Sequence, residues 1–197
     1  MLTFVQNPSL NQPRRRPLMM STGLLLTWFV GFRGLQEGWT SVQLIKQPLS
    51  VDSLAWPDAV KSAFQEGMQA HAQTALPLGV AQGLLGLVLV IVAGGSLLSG
   101  RLPLRFFLQL LGASGVLAVL SYWLEEPIRT KVIGALVQTP GIVDAGELDD
   151  AMRDSVIRWG FHIGLILHIG TLAFATLAVT RPAARQFLAT PSEPRQE

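Results

Sequence analysis

Hydrophobic positions in this chain gather into four stretches without a single Asp, Glu, Lys or Arg: Pro17–Phe32, Leu76–Ser99, Phe106–Leu124 and Trp159–Thr180, of 16, 24, 19 and 22 residues. A bilayer core about 30 Å thick takes roughly 20 residues of helix at 1.5 Å each. Three stretches reach that length alone. The first reaches it by running on through Arg33 and Glu37 to Trp39. The pattern predicts an all-α protein, a four-helix transmembrane bundle with helices at about 18–38, 76–99, 105–124 and 157–180. Residues 18–180 then form one membrane domain, between a flexible N-terminal lead over 1–17 and a polar tail over 181–197.

The two long connections, 39–75 and 125–156, carry helical periodicity of their own. Val60, Phe64 and Met68 recur every four residues, with Pro57 suited to a first turn and polar residues between them. This segment is expected to lead into the second membrane helix, which Pro77 can kink. In the second connection Ile128, Val132, Ile133, Leu136 and Val137 make one face, broken at Pro140–Gly141. Pro127 is read as the stop of the third membrane helix. Asp144 followed by Glu147 reads as a capping box, which would start the last helix near Ala145. The expectation is amphipathic helices in both long loops, packed as one cap on the bundle.

Charge placement adds a direction. Arg14, Arg15, Arg16, Arg101, Arg105, Arg181, Arg185 and Arg195 flank the membrane helices on one side, with only Glu193 and Glu197 as acids there. The rest of the chain holds the other eleven acids and seven bases. The positive-inside rule puts both termini in the cytoplasm and both long loops outside, with a bacterial inner (cytoplasmic) membrane as the expected location. A signal-peptide reading of the first helix fails for want of an Ala-x-Ala site after Phe32. Of the whole chain 14% is charged and mean hydropathy is +0.40, whereas a soluble domain carries about 25% charged residues. The pI near 9.5 is explained by these flanking arginines, and no nucleic-acid partner is expected, since no aromatic residues interleave them. Cysteine is absent, which excludes disulfides, thiolate metal sites and cysteine nucleophiles.

Small residues recur on every membrane helix: Gly23, Thr27 and Gly31; Gly79 and Gly83; Gly112; Gly160 and Gly164. They are expected as helix-packing positions, because small residues let backbones approach in lipid. His168 lies deep in the last helix, on one stripe with Gly160 and Gly164. Its neighbour His162 is six residues away and points elsewhere, so the two cannot clamp one haem. Nearer the outer end, Arg33 and Glu37 are spaced to pair, and Gln82, Tyr122, Glu125, Arg158 and His162 stand at comparable levels on the other helices. If those faces turn inward they make a polar vestibule with His168 beneath, and ionisable groups inside a membrane are functional candidates. The acids from Asp144 to Asp154 lack the glycine and alternating oxygens of a calcium loop. No catalytic set, metal site or cofactor is expected.

Two functions follow. The first is a non-enzymatic structural or accessory subunit of a larger membrane complex, held to other membrane subunits or to copies of itself by its small-residue faces and its cap. The alternative is a small-molecule binding or transport protein, or a membrane-embedded enzyme, working through the vestibule.

Overall fold

The computed structural model describes residues 16–46, 56–139 and 149–189. Among them are seven helices and no strand: α1 (Leu18–Lys46), α2 (Asp58–Ala70), α3 (Ala72–Ser99), α4 (Leu104–Leu124), α5 (Glu126–Gln138), α6 (Asp150–Thr180) and α7 (Pro182–Ala189). Four of these, α1, α3, α4 and α6, are long and apolar enough to cross a membrane, over Leu18–Gln43, Ala72–Ser99, Leu104–Leu124 and Ala151–Thr180. Their outer faces expose Leu25, Phe29, Ile91, Val116 and Ile166. Hydrocarbon tolerates that surface, and it requires the backbone bonding that helices supply internally. The chain is an integral, multi-pass membrane protein.

Round the bundle the order is α1, α3, α4, α6. The closest pair is α1 with α3, and glycine makes it so. A Cβ on Gly86 would stand 2.5 Å from the Gly31 oxygen and the Leu35 nitrogen. One on Gly38 would overlap the Gly79 oxygen and lie 2.5 Å from the Gly83 nitrogen. Backbone meets backbone here, so dispersion contacts run the length of the crossing. Gly23 faces α6 instead, where its Cβ would lie 2.8 Å from the Ala178 Cβ. Buried Thr27 donates to the Gly23 carbonyl at 2.8 Å. Gly112, Gly160 and Gly164, expected as packing positions, stand against open space: a Cβ there meets nothing within 4 Å. The packing face of α6 is made by Leu172, Ala175 and Val179, lower on the helix.

The chain's described ends and the α3–α4 turn share one end of the bundle. Arg16 Nη1 donates to the Leu97 carbonyl at 2.9 Å. Gly100 closes α3 in the left-handed conformation, φ +71°, which glycine adopts without penalty. Arg181 reaches Met19. The tail does not simply leave after Thr180: Pro182 opens the short α7, which buries Ala184 and packs Phe187 and Leu188 on the core. That core (Met20, Leu24, Leu89, Ala93, Phe107, Leu110, Leu111, Leu172, Ala175, Val179) fills the arginine-rich half of the bundle.

At the opposite end α2 and α5 pack on each other, with Ile128 against Gly67 and with Phe64, Met68 and Ala75 beside it. α2 buries Val60, Gly67 and Met68, and α5 buries Ile128, Val132 and Ile133. Three boundaries differ from the sequence expectation. α1 runs on to Lys46 rather than ending near Gly38. Pro127 does not stop α4, which ends at Leu124; it sits in the first turn of α5, where its missing N–H is no loss. α6 starts at Asp150, capped by Asp149, whose side chain accepts from the Met152 N–H at 2.8 Å. The expected Asp144–Glu147 box and the break at Pro140–Gly141 lie outside the described residues.

Candidate functional site

Where the apolar core ends, the four membrane helices line an open cavity of about 510 Å³. Each wall follows from local sequence. α1 continues as helix through Arg33 and Glu37, four residues apart, so the two side chains meet: Arg33 Nε donates to Glu37 Oε1 at 2.6 Å. On α3, Gly79 and Gly83 press the backbone against α1, and Gln82 between them lines the cavity. Gln82 Nε2 donates to the buried Ser121 Oγ of α4 at 3.0 Å. Tyr122 and Glu125 follow at the end of α4, and Arg129 comes from the first turns of α5. α6 supplies Ile157, Gly160, Phe161, Gly164, Leu165 and His168. A smaller space of about 40 Å³ beneath shares Glu37, Gln82, Ala118 and His168 with the main cavity and adds Ser114 and Gly34. It has room for about one water molecule.

The charges are unevenly satisfied. Arg129 stacks on the Tyr122 ring, 3.7 Å from its centroid. It donates to the Tyr122 carbonyl at 2.5 Å and to the Glu126 carboxylate. That hydrogen bond holds Glu126 below the usual carboxylate range. Glu125 lies the other way: burial, and then the nearby charge of Glu37, raise it, with Arg129 opposing. Among the described residues its carboxylate has no hydrogen bond and no ion pair. His168 Nε2 is buried without a partner. Groups left in that state are ready to bind something that completes them.

Of the eight residues expected in a vestibule, six line this one cavity: Arg33, Glu37, Gln82, Tyr122, Glu125 and His168. Arg158 and His162 do not. Arg158 pairs with Asp154 at 2.7 Å and with Glu126 at 3.6 Å. His162 Nδ1 stands 2.8 Å from the Arg158 carbonyl and 2.9 Å from the Tyr122 hydroxyl. A protonated Nδ1 donates to the Arg158 carbonyl, whereas an unprotonated Nδ1 accepts from the Tyr122 hydroxyl, so the imidazole tautomer selects the partner. Gly160 and Gly164 serve the cavity rather than a helix contact. The sequence gives no signal for Ser121 or Arg129: one is a lone serine in an apolar run, and the other reaches Tyr122 only because the chain turns at Glu125.

Among the described residues no group of three His, Asp or Glu side chains is placed to hold a metal ion. The arrangement offers donors, acceptors and one ion pair over an apolar wall, which suits the positioning of a polar head beside an apolar body. No family model, no curated protein and no solved structure matches this chain.

Proposed function

We propose that this integral membrane protein binds a small molecule in the cavity between α1, α3, α4 and α6. The observation that carries this reading is six polar or ionisable side chains from three helices and the end of a fourth element converging on one space of about 510 Å³. Binding pockets for small molecules run about 300–1,000 Å³, with a few placed polar groups on an apolar lining. Ionisable side chains in membrane helices are costly unless they face such a space. The arginine-rich end, with Arg16, Arg101, Arg105, Arg181 and Arg185, favours a cytoplasmic position for both termini in a bacterial inner membrane. The cavity then lies toward the outside.

The test uses the intact protein purified from membranes in mild detergent. Bound small molecules are identified by mass spectrometry for wild type, Gly160→Leu and Gly164→Leu. A Cβ at either position meets no atom within 4 Å, so each leucine side chain extends into the open space, and an unchanged melting temperature in the same detergent checks that the fold is kept. A molecule retained by wild type and lost from both variants supports the reading. Equal contents in all three overturn it.

A second reading, the accessory subunit of a larger complex, has one specific support. A groove of about 430 Å³ lies between α2 and α5, lined by Ala59, Ala63, Glu66, Lys131 and Gly134 among others. Its small residues, Ala59, Ala63, Gly134 and Ala135, leave room for a partner's side chains between Glu66 and Lys131. A stoichiometric protein partner lost on Gly134→Arg would carry that reading.

A further inference from the structure

α1 and α6 touch near the arginine-rich end, at Gly23 against Ala175 and Ala178. Toward the other end they part. There a Cβ on Gly160 or Gly164 meets no atom within 4 Å, and Arg33 and Glu37 edge the same space from α1, 70% and 50% exposed. At 1.5 Å per residue Arg33 stands about 22 Å along α1 from Leu18, and Gly164 about 24 Å along α6 from Thr180. Both levels fall within a hydrocarbon core about 30 Å thick. The outer surface there is Phe29 and Phe32 on α1 and Ile163 and Leu167 on α6, all exposed. The gap therefore faces lipid, and a bilayer molecule meets it before any aqueous solute does.

The groups with unmet demand define the head of that molecule. Glu125 is half-buried at the cavity, and among the described residues its carboxylate has no donor. Arg129 is engaged by the Tyr122 carbonyl and Glu126, so it does not supply one. Arg33 holds Glu37 through Nε alone, which leaves its two Nη groups for an acceptor oxygen. A donor-rich cation for Glu125 and an anion for Arg33 together describe a zwitterion. The cavity has room for a head of that kind, and the gap beside Gly160 and Gly164 has room for the chains that follow it.

We propose that the cavity takes the head of a zwitterionic phospholipid entering sideways between α1 and α6, with Glu125 accepting from its primary ammonium and Arg33 donating to its phosphate. This rests on the small-molecule reading above and narrows it. Recognition is by hydrogen-bond donation and not by charge alone. A quaternary ammonium of the same charge donates nothing and leaves Glu125 unsatisfied.

The experiment is native mass spectrometry of the full chain in detergent, titrated with dioleoyl phosphatidylethanolamine and with dioleoyl phosphatidylcholine. Water-soluble O-phosphoethanolamine is the arm without chains. Wild type is expected to retain the ethanolamine lipid about tenfold more tightly than the choline lipid, as one hydrogen bond to a charged group provides. Glu125→Gln should erase that preference, and Gly164→Leu should abolish retention of both. Gly112→Leu, which adds the same bulk on a lipid-facing position away from the cavity, is the control and should bind as wild type does. Equal retention of the two lipids by wild type overturns the head assignment. Gly164→Leu binding like wild type overturns the sideways route, as does phosphoethanolamine competing as well as the lipid. Those results leave the small-molecule reading standing if Gly160→Leu and Gly164→Leu still lose a soluble ligand. If the two variants change the retention of nothing, both fall.

Discussion

Gln82 donates from Nε2 to Ser121 Oγ across 3.0 Å, a side-chain bond tying α3 to α4 at the floor of the cavity. Ser121 is buried and Gln82 half-buried, so the bond is partly shielded where it borders the cavity. Interhelical hydrogen bonds in membrane proteins are nevertheless modest, because an unfolded membrane helix also finds partners. A double-mutant cycle of Gln82→Leu and Ser121→Ala, read by detergent unfolding, should give a coupling of about 1 kcal/mol. A coupling indistinguishable from zero would mean that the two groups do not share a bond in the folded protein.

The α1–α3 contact should be intolerant of a single methyl group, and the α6 glycines indifferent to it. Gly38→Ala drives a Cβ into the backbone of Gly79 and Gly83, which cannot rotate away as a side chain would. Its cost should be about 3 kcal/mol or more, at or above the upper end for overpacked sites. Gly160→Ala meets nothing and should be neutral or stabilise by about 0.5 kcal/mol through helix propensity. Thermal unfolding of the two variants in the same detergent gives the comparison. Equal effects would remove the reason given for this helix pairing.

Glu125 makes stability depend on pH with a definite sign. Its folded-state value is raised, by burial first and by Glu37 second. Between the unfolded and the raised value the folded protein keeps a proton that the unfolded chain has released, so stability falls as pH rises through that window. It is fully present below the ordinary carboxylate range. Glu125→Gln should therefore melt higher than wild type at neutral pH, and the difference should vanish below about pH 4. Glu126 has the opposite shift, caused first by the Arg129 hydrogen bond. For Glu126→Gln the expected sign is reversed: a loss at neutral pH that fades on acidification.

Topology is directly testable because the chain has no cysteine of its own. Ser99→Cys marks the arginine-rich end and Gln69→Cys the end bearing α2. Both positions are exposed. In intact bacterial cells an impermeant maleimide should label Gln69→Cys and spare Ser99→Cys until the membrane is opened. The reverse pattern would invert the proposed orientation and turn the cavity toward the cytoplasm.

Much of this architecture was legible in the sequence because hydrocarbon imposes a length and a composition that few other constraints imitate. Four charge-free runs specify four spans, and the spacing of Arg33 and Glu37 specifies an i,i+4 pair whatever surrounds it. The level of each polar residue along its helix is also simple arithmetic, which is why Gln82, Tyr122 and Glu125 could be assigned to one level and His168 to a deeper one beneath them. What a linear chain does not encode visibly is which way each helix face turns. Gly31 and Gly86 pack backbone to backbone while Gly160 and Gly164, with the same small side chain, border open space. Arg158 and His162 share the depth of the cavity yet stand outside its lining, and Arg129 enters from α5, which follows α4 across the turn at Glu125. Those outcomes depend on rotation about helix axes and on the turn at Glu125. Hydropathy is silent on both, and only the tertiary packing of α1, α3, α4 and α6 decided them.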